Sequence, residues 1–484
     1  MSLRLRLGLA GVAMALVPLS AALAQDAQSA ATPDPAAVLQ RLEEAEQRIK
    51  VLERKLEIQQ DAQTAAAASA PVVRASPTRF ALQSADGANF VRLRGVLHID
   101  GRHFEGDGSP ATSNTWLLRR VRPIVEGTFA NIYDFRITPD FGGGKTIVQD
   151  AYVTARFQPW SAVTVGKFKV PVGLERIQSA NDTRFVERAF PTSLLPNRDI
   201  GVQLGGDVAG GVLNYNVSYT NGVTDGGSSD GNVTPDIEND SKGDVSARVF
   251  LQPFLNSDNF ALRGLGFGVG GTYVDSTGSA TNSLLPTYKT PGQATFFSYR
   301  GNTAATGTAP AINNGTFASG QRLRYSPQFY YYFSSFGILG EYAVVSQDVT
   351  RVNGAVTRSD LLDNKAWQIE LNWLLTGEEE TFKAVTPGSN FEVGKAGRGA
   401  WELVARVHEL SIDGDAFTGG ANSYANPATS ARRARAAAIG VNWYLNPNVK
   451  WSVDYEVTRF DGGAANGGDR PDEKAYLTRI GLNF

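Results

Sequence analysis

The stretch "FVRLRGVLHID", residues 90 to 100, decides how the rest of the chain is read. Val91, Leu93, Gly95, Leu97 and Ile99 share one face of an extended chain, and Arg92, Arg94, His98 and Asp100 share the other. A period of two predicts a strand with one oily and one charged face. In a water-soluble sandwich the apolar face points inward. In an outer-membrane barrel it meets lipid, and the charged face lines a wet lumen.

The same period continues to the last residue. "AYVTARFQP" sets Val153, Ala155 and Phe157 against Tyr152, Thr154 and Arg156, and "WELVARVHEL" sets Trp401, Leu403, Ala405 and Val407 against Glu402, Arg406 and His408. Sixteen such segments are predicted. The first eight lie near 90–103, 115–129, 131–139, 148–158, 161–170, 200–208, 212–220 and 243–252. The others lie near 261–276, 321–333, 335–347, 366–376, 400–412, 433–446, 449–461 and 474–484. An even number of strands of this length suits a barrel wide enough to hold water. Short turns (Pro159-Trp160, Asn446-Pro447-Asn448) alternate with long loops (220–243, 277–320), and aromatic clusters such as "FYYYF" sit near strand ends, as in outer-membrane barrels. Segment 377–399 is long where a short turn is expected, which makes it a candidate for folding back into the lumen. The terminal "KAYLTRIGLNF" is amphipathic and ends on Phe484, resembling the signal by which such barrels are assembled.

The first 79 residues are different. Arg4 and Arg6 precede "LGLAGVAMALVPL" and then "AALA", which predicts a signal peptide over 1–24 and a chain exported from the cytoplasm. A tail follows (25–37). Val38, Leu42, Ala45, Ile49, Leu52 and Leu56 recur at alternating spacings of four and three, predicting a short periplasmic coiled-coil helix over 38–58 and hence a partner helix. Residues 59–79 read as an Ala/Pro/Ser linker, and 80–484 as the barrel. The fold class expected is all-β and transmembrane: a 16-stranded antiparallel outer-membrane barrel in outer-membrane lipid, preceded by that helix.

Composition excludes several functions. There is no cysteine, so no disulfide or thiolate chemistry is available, and 46 basic against 48 acidic residues give no global pull on nucleic acid. "GSSDG" (227–231) and "GFGVGG" (266–271) fit catalytic and dinucleotide patterns by letters alone, without the strand–turn–helix those motifs need. An enzyme is not expected, nor is a metal or cofactor.

A pore acts through its lining. Arginine offers planar paired donors that match phosphate oxygens. Alternation assigns Arg92, Arg94, Arg120, Arg122, Arg156, Lys167, Lys169 and Arg406 to the lumen, most of them in the first five strands. The loop 171–199 adds Arg176, Arg184, Arg188 and Arg198 as constriction candidates, with Glu187 and Asp199 expected to pin some of them. In "WLLRRVRPIVEG" (116–127) strict alternation places Trp116, Leu118, Arg120 and Arg122 in the lumen and Arg119 against lipid. A bulge would bring Arg119 and Arg120 to the same side. Asp225, Asp230, Asp236, Glu238, Asp240 and Asp244, opposed only by Lys242, are expected to give the mouth a field that repels anions.

These residues resemble the phosphate-selective porin O and P family over roughly 90 to 484. The resemblance rests on "LLRRVRPIVEG", "DFRITPDFGGG", "VGKFKVPVGLE", "FVERAF…LLPNRDIGVQL", "GAWELVARV" and "VNWYLNPNVKWSVDYEVTRF". It implies a trimer of sixteen-stranded barrels with inward-folded loops, passing phosphate or polyphosphate along a ladder of arginines that includes the pair Arg119-Arg120. The chain departs from that pattern at Val96, where the family has a ladder arginine, at Asp134, in place of a constriction lysine, and at Gln149, in place of an aspartate. These departures put strict phosphate selectivity in doubt. A differently selective porin for organic anions, or a non-conducting adhesive barrel, are the alternatives.

Overall fold

The computed structural model describes residues 34–76, 79–106, 113–229, 241–279, 281–302 and 314–484. The predicted signal peptide lies outside them. The chain divides into two units, Met1–Ser69 and Ala70–Phe484.

Within the first, one helix, α1, runs Pro35–Ser69. It continues through "DAQTAAAAS", read from sequence as linker, because alanine and glutamine are strong helix formers. Its Val38, Leu42, Ile49, Leu52 and Leu56 are all exposed.

The second unit is a closed barrel of sixteen antiparallel strands. The first eight are β1 (Phe90–Phe104), β2 (Thr115–Phe129), β3 (Tyr133–Asp140), β4 (Ile147–Gln158), β5 (Ser161–Lys169), β6 (Arg198–Val208), β7 (Leu213–Thr220) and β8 (Asp244–Leu251). Then follow β9 (Leu265–Thr277), β10 (Asn314–Phe333), β11 (Phe336–Asn353), β12 (Val356–Leu374), β13 (Ala400–Ser411), β14 (Ala431–Asn446), β15 (Val449–Gly462) and β16 (Glu473–Asn483). Each pairs with its neighbour in sequence, and β16 closes on β1 from Ala475↔Phe104 to Asn483↔Val96. The lower end of β1 pairs instead with Arg79–Gln83, the second arm of a hairpin begun at Val72–Ser76, so the barrel unit starts before residue 80.

The wall is inside out relative to a soluble protein. Ile439 and Ile480 are 60% and 51% exposed, whereas Glu402 and Asp454 are 0% and 1%. Only lipid outside and partners inside make both placements favourable. An aromatic girdle marks the short-turn end, with Phe336 stacked on Trp373 and Trp401 on Trp443. The wall is also uneven. β3, β7 and β8 have 8 residues each, and β10 to β12 have 20, 18 and 19. β11 and β12 meet at the turn Gly354-Ala355, where Gly354 takes a φ of 58°, so no long loop joins them.

One side of the interior is filled. Loop 170–197 turns inward and buries Val170, Val172, Phe190, Leu194 and Leu195 against Ala343, Val345, Leu362 and Ala434 of the wall. The hairpin Thr287–Lys289 with Thr295–Ser298, inside the predicted long loop, adds Tyr288, Phe296 and Phe297 to the same core. Segment 375–399 folds in from the opposite end, with Val385 packed on Leu374, Ala400 and Tyr444, and Phe382 stacked on Tyr330.

Candidate functional site

A loop buried inside a barrel must have its backbone polar groups satisfied, and the wall does this with side chains. Glu341 accepts from the Leu174 and Glu175 amides (2.7 and 3.3 Å), Asp454 from Val186 N (2.6 Å), and His408 Nδ1 from Phe190 N (3.2 Å). Asn442, Lys450 and Arg406 donate to the carbonyls of Arg184, Thr183 and Glu187. All of these wall groups lie on β11 to β15. The loop is therefore held to that side, and the open path runs along β1 to β6.

Three cavities follow one another on that path. The upper one, about 490 Å³, and the middle one, about 340 Å³, share Arg122, Lys169, Ala180 and Arg198. The middle one and the lower one, about 540 Å³, share Thr164 and Gln203. The column thus extends from the long-loop mouth to the short-turn end. The upper cavity is lined by Arg119, Arg120, Arg122, Lys169, Arg176, Arg188, Arg198 and Lys289, against the carboxylates Glu187 and Asp225. The middle adds Arg94 and Arg136, and the lower adds Arg156.

Many of these cations are paired. Arg122 meets Asp140 (2.7 Å), Arg198 meets Asp150 (2.8 Å), Arg156 meets Asp134 (2.6 Å), and Arg94 lies 3.5 Å from Glu126, which also takes Arg92. Three arginines converge on Glu187: Arg119 at 2.8 Å, Arg102 at 3.0 Å and Arg479 at 3.8 Å. Burial works to raise the Glu187 carboxyl, but the guanidinium of Arg119 and its neighbours hold it well below the usual carboxylate range. Among the described residues Asp199 pins no arginine; its oxygens accept from the Ile200 and Gly222 amides.

Four cations differ. Lys169 donates to the carbonyls of Ile177 and Gln178, Arg176 to Thr192 O, and Arg188 to Glu175 O and Gln178 O. Arg120 donates to His98 Nδ1 at 3.1 Å. Among the described residues none of the four has a carboxylate within ion-pair distance. Burial, followed by the crowding of Arg188, pushes Arg176 down to about 9; burial pushes Arg188 to about 10. Arginine keeps its charge at neutral pH, so the shift expresses a free-energy cost that a bound anion relieves.

The alternation problem at Arg119 has a local answer. Register moves from Ile99↔Leu118 to His98↔Arg120, leaving Arg119 as the extra residue of a β-bulge. Upstream of it the odd residues face in; downstream the even ones do. Trp116 and Leu118, assigned by strict alternation to the lumen, are instead 74% and 52% exposed on the outer face, and Arg119 and Arg120 point inward together.

Other expectations are redirected. Arg184 is consumed by Glu380 and Glu402 and by the carbonyls of Asp182, Thr381 and Lys383, away from the three cavities. Arg406 is buried under Phe185 with Glu456 and Glu175, as a loop anchor. Lys167 is buried but lines none of the three cavities. Asp225 and Asp244 do not charge the mouth, because Arg324 and Arg322 neutralise them. Asp230, Asp236, Glu238 and Asp240 lie outside the described residues. Arg136 and Lys289 were not singled out from sequence. Alternation in "YDFRIT" would have found the first, but nothing in the sequence brings Lys289 to β2.

The closed barrel with a lined aqueous column defines an outer-membrane porin. The chain belongs to the phosphate-selective porin O and P family, whose sequence profile matches residues 91–484. Porin O of Pseudomonas aeruginosa is 32% identical over 126 residues, a match covering 25% of this chain and 27% of that protein. Among solved structures, the outer-membrane channel DcaP of Acinetobacter baumannii is similar in fold (TM-score 0.50, 10% identity, 83% of this chain and 99% of that one). Salmonella typhi OmpF in complex with daunomycin gives a TM-score of 0.47 at 11% identity, over 82% and 98% of the two chains.

Proposed function

We propose that this porin admits small anions, phosphate or polyphosphate among them, along the cationic column beside β1 to β6. The observation that carries this reading is the group Arg120, Lys169, Arg176 and Arg188, which lines the upper cavity and, among the described residues, is held by carbonyls and an imidazole rather than by carboxylates. Neutral partners position a cation without neutralising it, so a passing anion meets net positive charge with its donors already oriented. Carboxylate-paired rungs above and below keep binding weak enough for release. In a planar bilayer under a salt gradient, the reversal potential is expected to show anion preference, with phosphate reducing chloride current. Cation preference or none would overturn the reading, and absence of any conductance would favour a barrel that merely displays loops.

The uneven wall supports a homotrimer. Eight tilted residues span roughly 20 Å, less than the apolar band of about 25 Å that a barrel needs against lipid. Covering the low side with neighbouring subunits removes the mismatch. The exposed heptad seam of α1 fits a coiled coil between copies, which would stand in the periplasm. Deleting residues 38–58 is expected to lower the detergent-resistant trimer's melting temperature; an unchanged trimer would separate the helix from assembly.

A further inference from the structure

The middle cavity contains something an inorganic anion has no use for. Between its cations lie the apolar side chains of Val96, Ile124, Phe168 and Ile177 and the ring of Tyr152, beside the hydroxyls of Thr138, Thr154 and Thr164 and the Arg198-paired Asp150. Val96 sits directly across from Arg122, and Ile124 across from Arg94, so apolar and cationic side chains alternate over one patch of wall. Val96, Ile124 and Phe168 are buried beneath it, while Tyr152 and Ile177 remain half-exposed to the cavity. Arg136 and Lys169 border the same space.

A hydrated inorganic anion entering here exchanges water for side chains that offer no donors, which costs free energy wherever the wall is apolar. An anion carrying a hydrocarbon group gains twice: its charge meets the guanidinium groups, and its apolar part leaves water. From this juxtaposition we infer that the middle cavity is a selectivity site for organic anions, phosphate monoesters or carboxylates bearing an apolar group about the size of a ring. The cavity's size, about 340 Å³, suits such a molecule and lies at the small end of ligand sites. The inference rests on the anion-channel reading and names the class of solute that the site prefers.

Competition against chloride current in a bilayer tests it, with inorganic phosphate and phenyl phosphate as probes. Phenyl phosphate is expected to halve the current at roughly a tenfold lower concentration, the ratio that one buried apolar group supplies. Val96→Thr/Ile124→Thr, and separately Ile177→Thr, keep every cation and are expected to bring the two probes toward parity. Equal potency in the natural chain, or a preference for inorganic phosphate, would overturn the inference while leaving anion selectivity standing. A channel without anion preference would remove both.

Discussion

Replacing Arg184 with alanine is expected to release both inward-folded segments at once and to raise single-channel conductance several-fold. Arg184 comes from the long-loop end, Glu380 from the short-turn end, and their ion pair forms inside the barrel. The same guanidinium holds Glu402 at 2.8 Å and the Thr381 and Lys383 carbonyls at 2.7 and 3.0 Å. Gln178 adds one more link between the two segments, to Phe382 O. Removing the cation leaves two buried carboxylates facing each other, a change that costs about 3–5 kcal/mol in buried pairs. The wall has its own hydrogen-bond ladder and remains folded, so the loss falls on the segments. Conductance should become larger and noisier, and trypsin should cut at Lys383, Lys395 or Arg398. Arg184→Lys, one donor group in place of a planar fork, should recover only part of the effect. Unchanged conductance together with unchanged protease resistance would show that the two segments are held by packing alone.

Neutralising Arg176 and Arg188 together carries the second large effect. Each is a charge-assisted donor worth about 1.5–3 kcal/mol to a bound anion, so the double change to glutamine should weaken phosphate block at least about a hundredfold. The reversal potential should move toward zero. Both side chains also brace the loop through carbonyls, so the lysine double variant is the control: it keeps the charge and should keep most of the preference. Arg122→Gln should act differently, because it removes a cation shared by two cavities and leaves its partner Asp140 unneutralised beside them. Arg122→Gln leaving selectivity untouched, or the arginine pair proving silent, would move the filter elsewhere on the path.

The wall was legible because alternation against lipid admits little ambiguity. All sixteen strands fall within a few residues of their predicted positions, except where β10 and β12 begin earlier and where β11 runs on. Those extensions contain Asp348, Arg351, Arg358, Asp360 and Asp363. Beyond the bilayer both faces of a strand meet water or polar loops, so the apolar signal that marked the strand ends there.

The lining was only half legible. A period of two gives the facing of Arg94, Arg122 and Arg156, but one extra residue reverses it, and no local signal distinguishes a bulge at Arg119 from its absence. Nor does alternation tell a conducting cation from an anchoring one. Arg406 and Lys169 have equal standing in sequence; the first is spent on Glu456 and a loop carbonyl, the second lines the upper and middle cavities. That division depends on where loop 170–197 settles, and much of its anchoring comes from β11 to β15, more than a hundred residues away in sequence. By itself, then, the sequence determined a lipid-facing barrel of sixteen strands with an arginine-rich side, because solvent polarity acts on each residue locally. Only the tertiary structure decided which arginines stay unpaired and where the open path runs, because pairing of buried charge is settled by whichever partner the fold brings within reach.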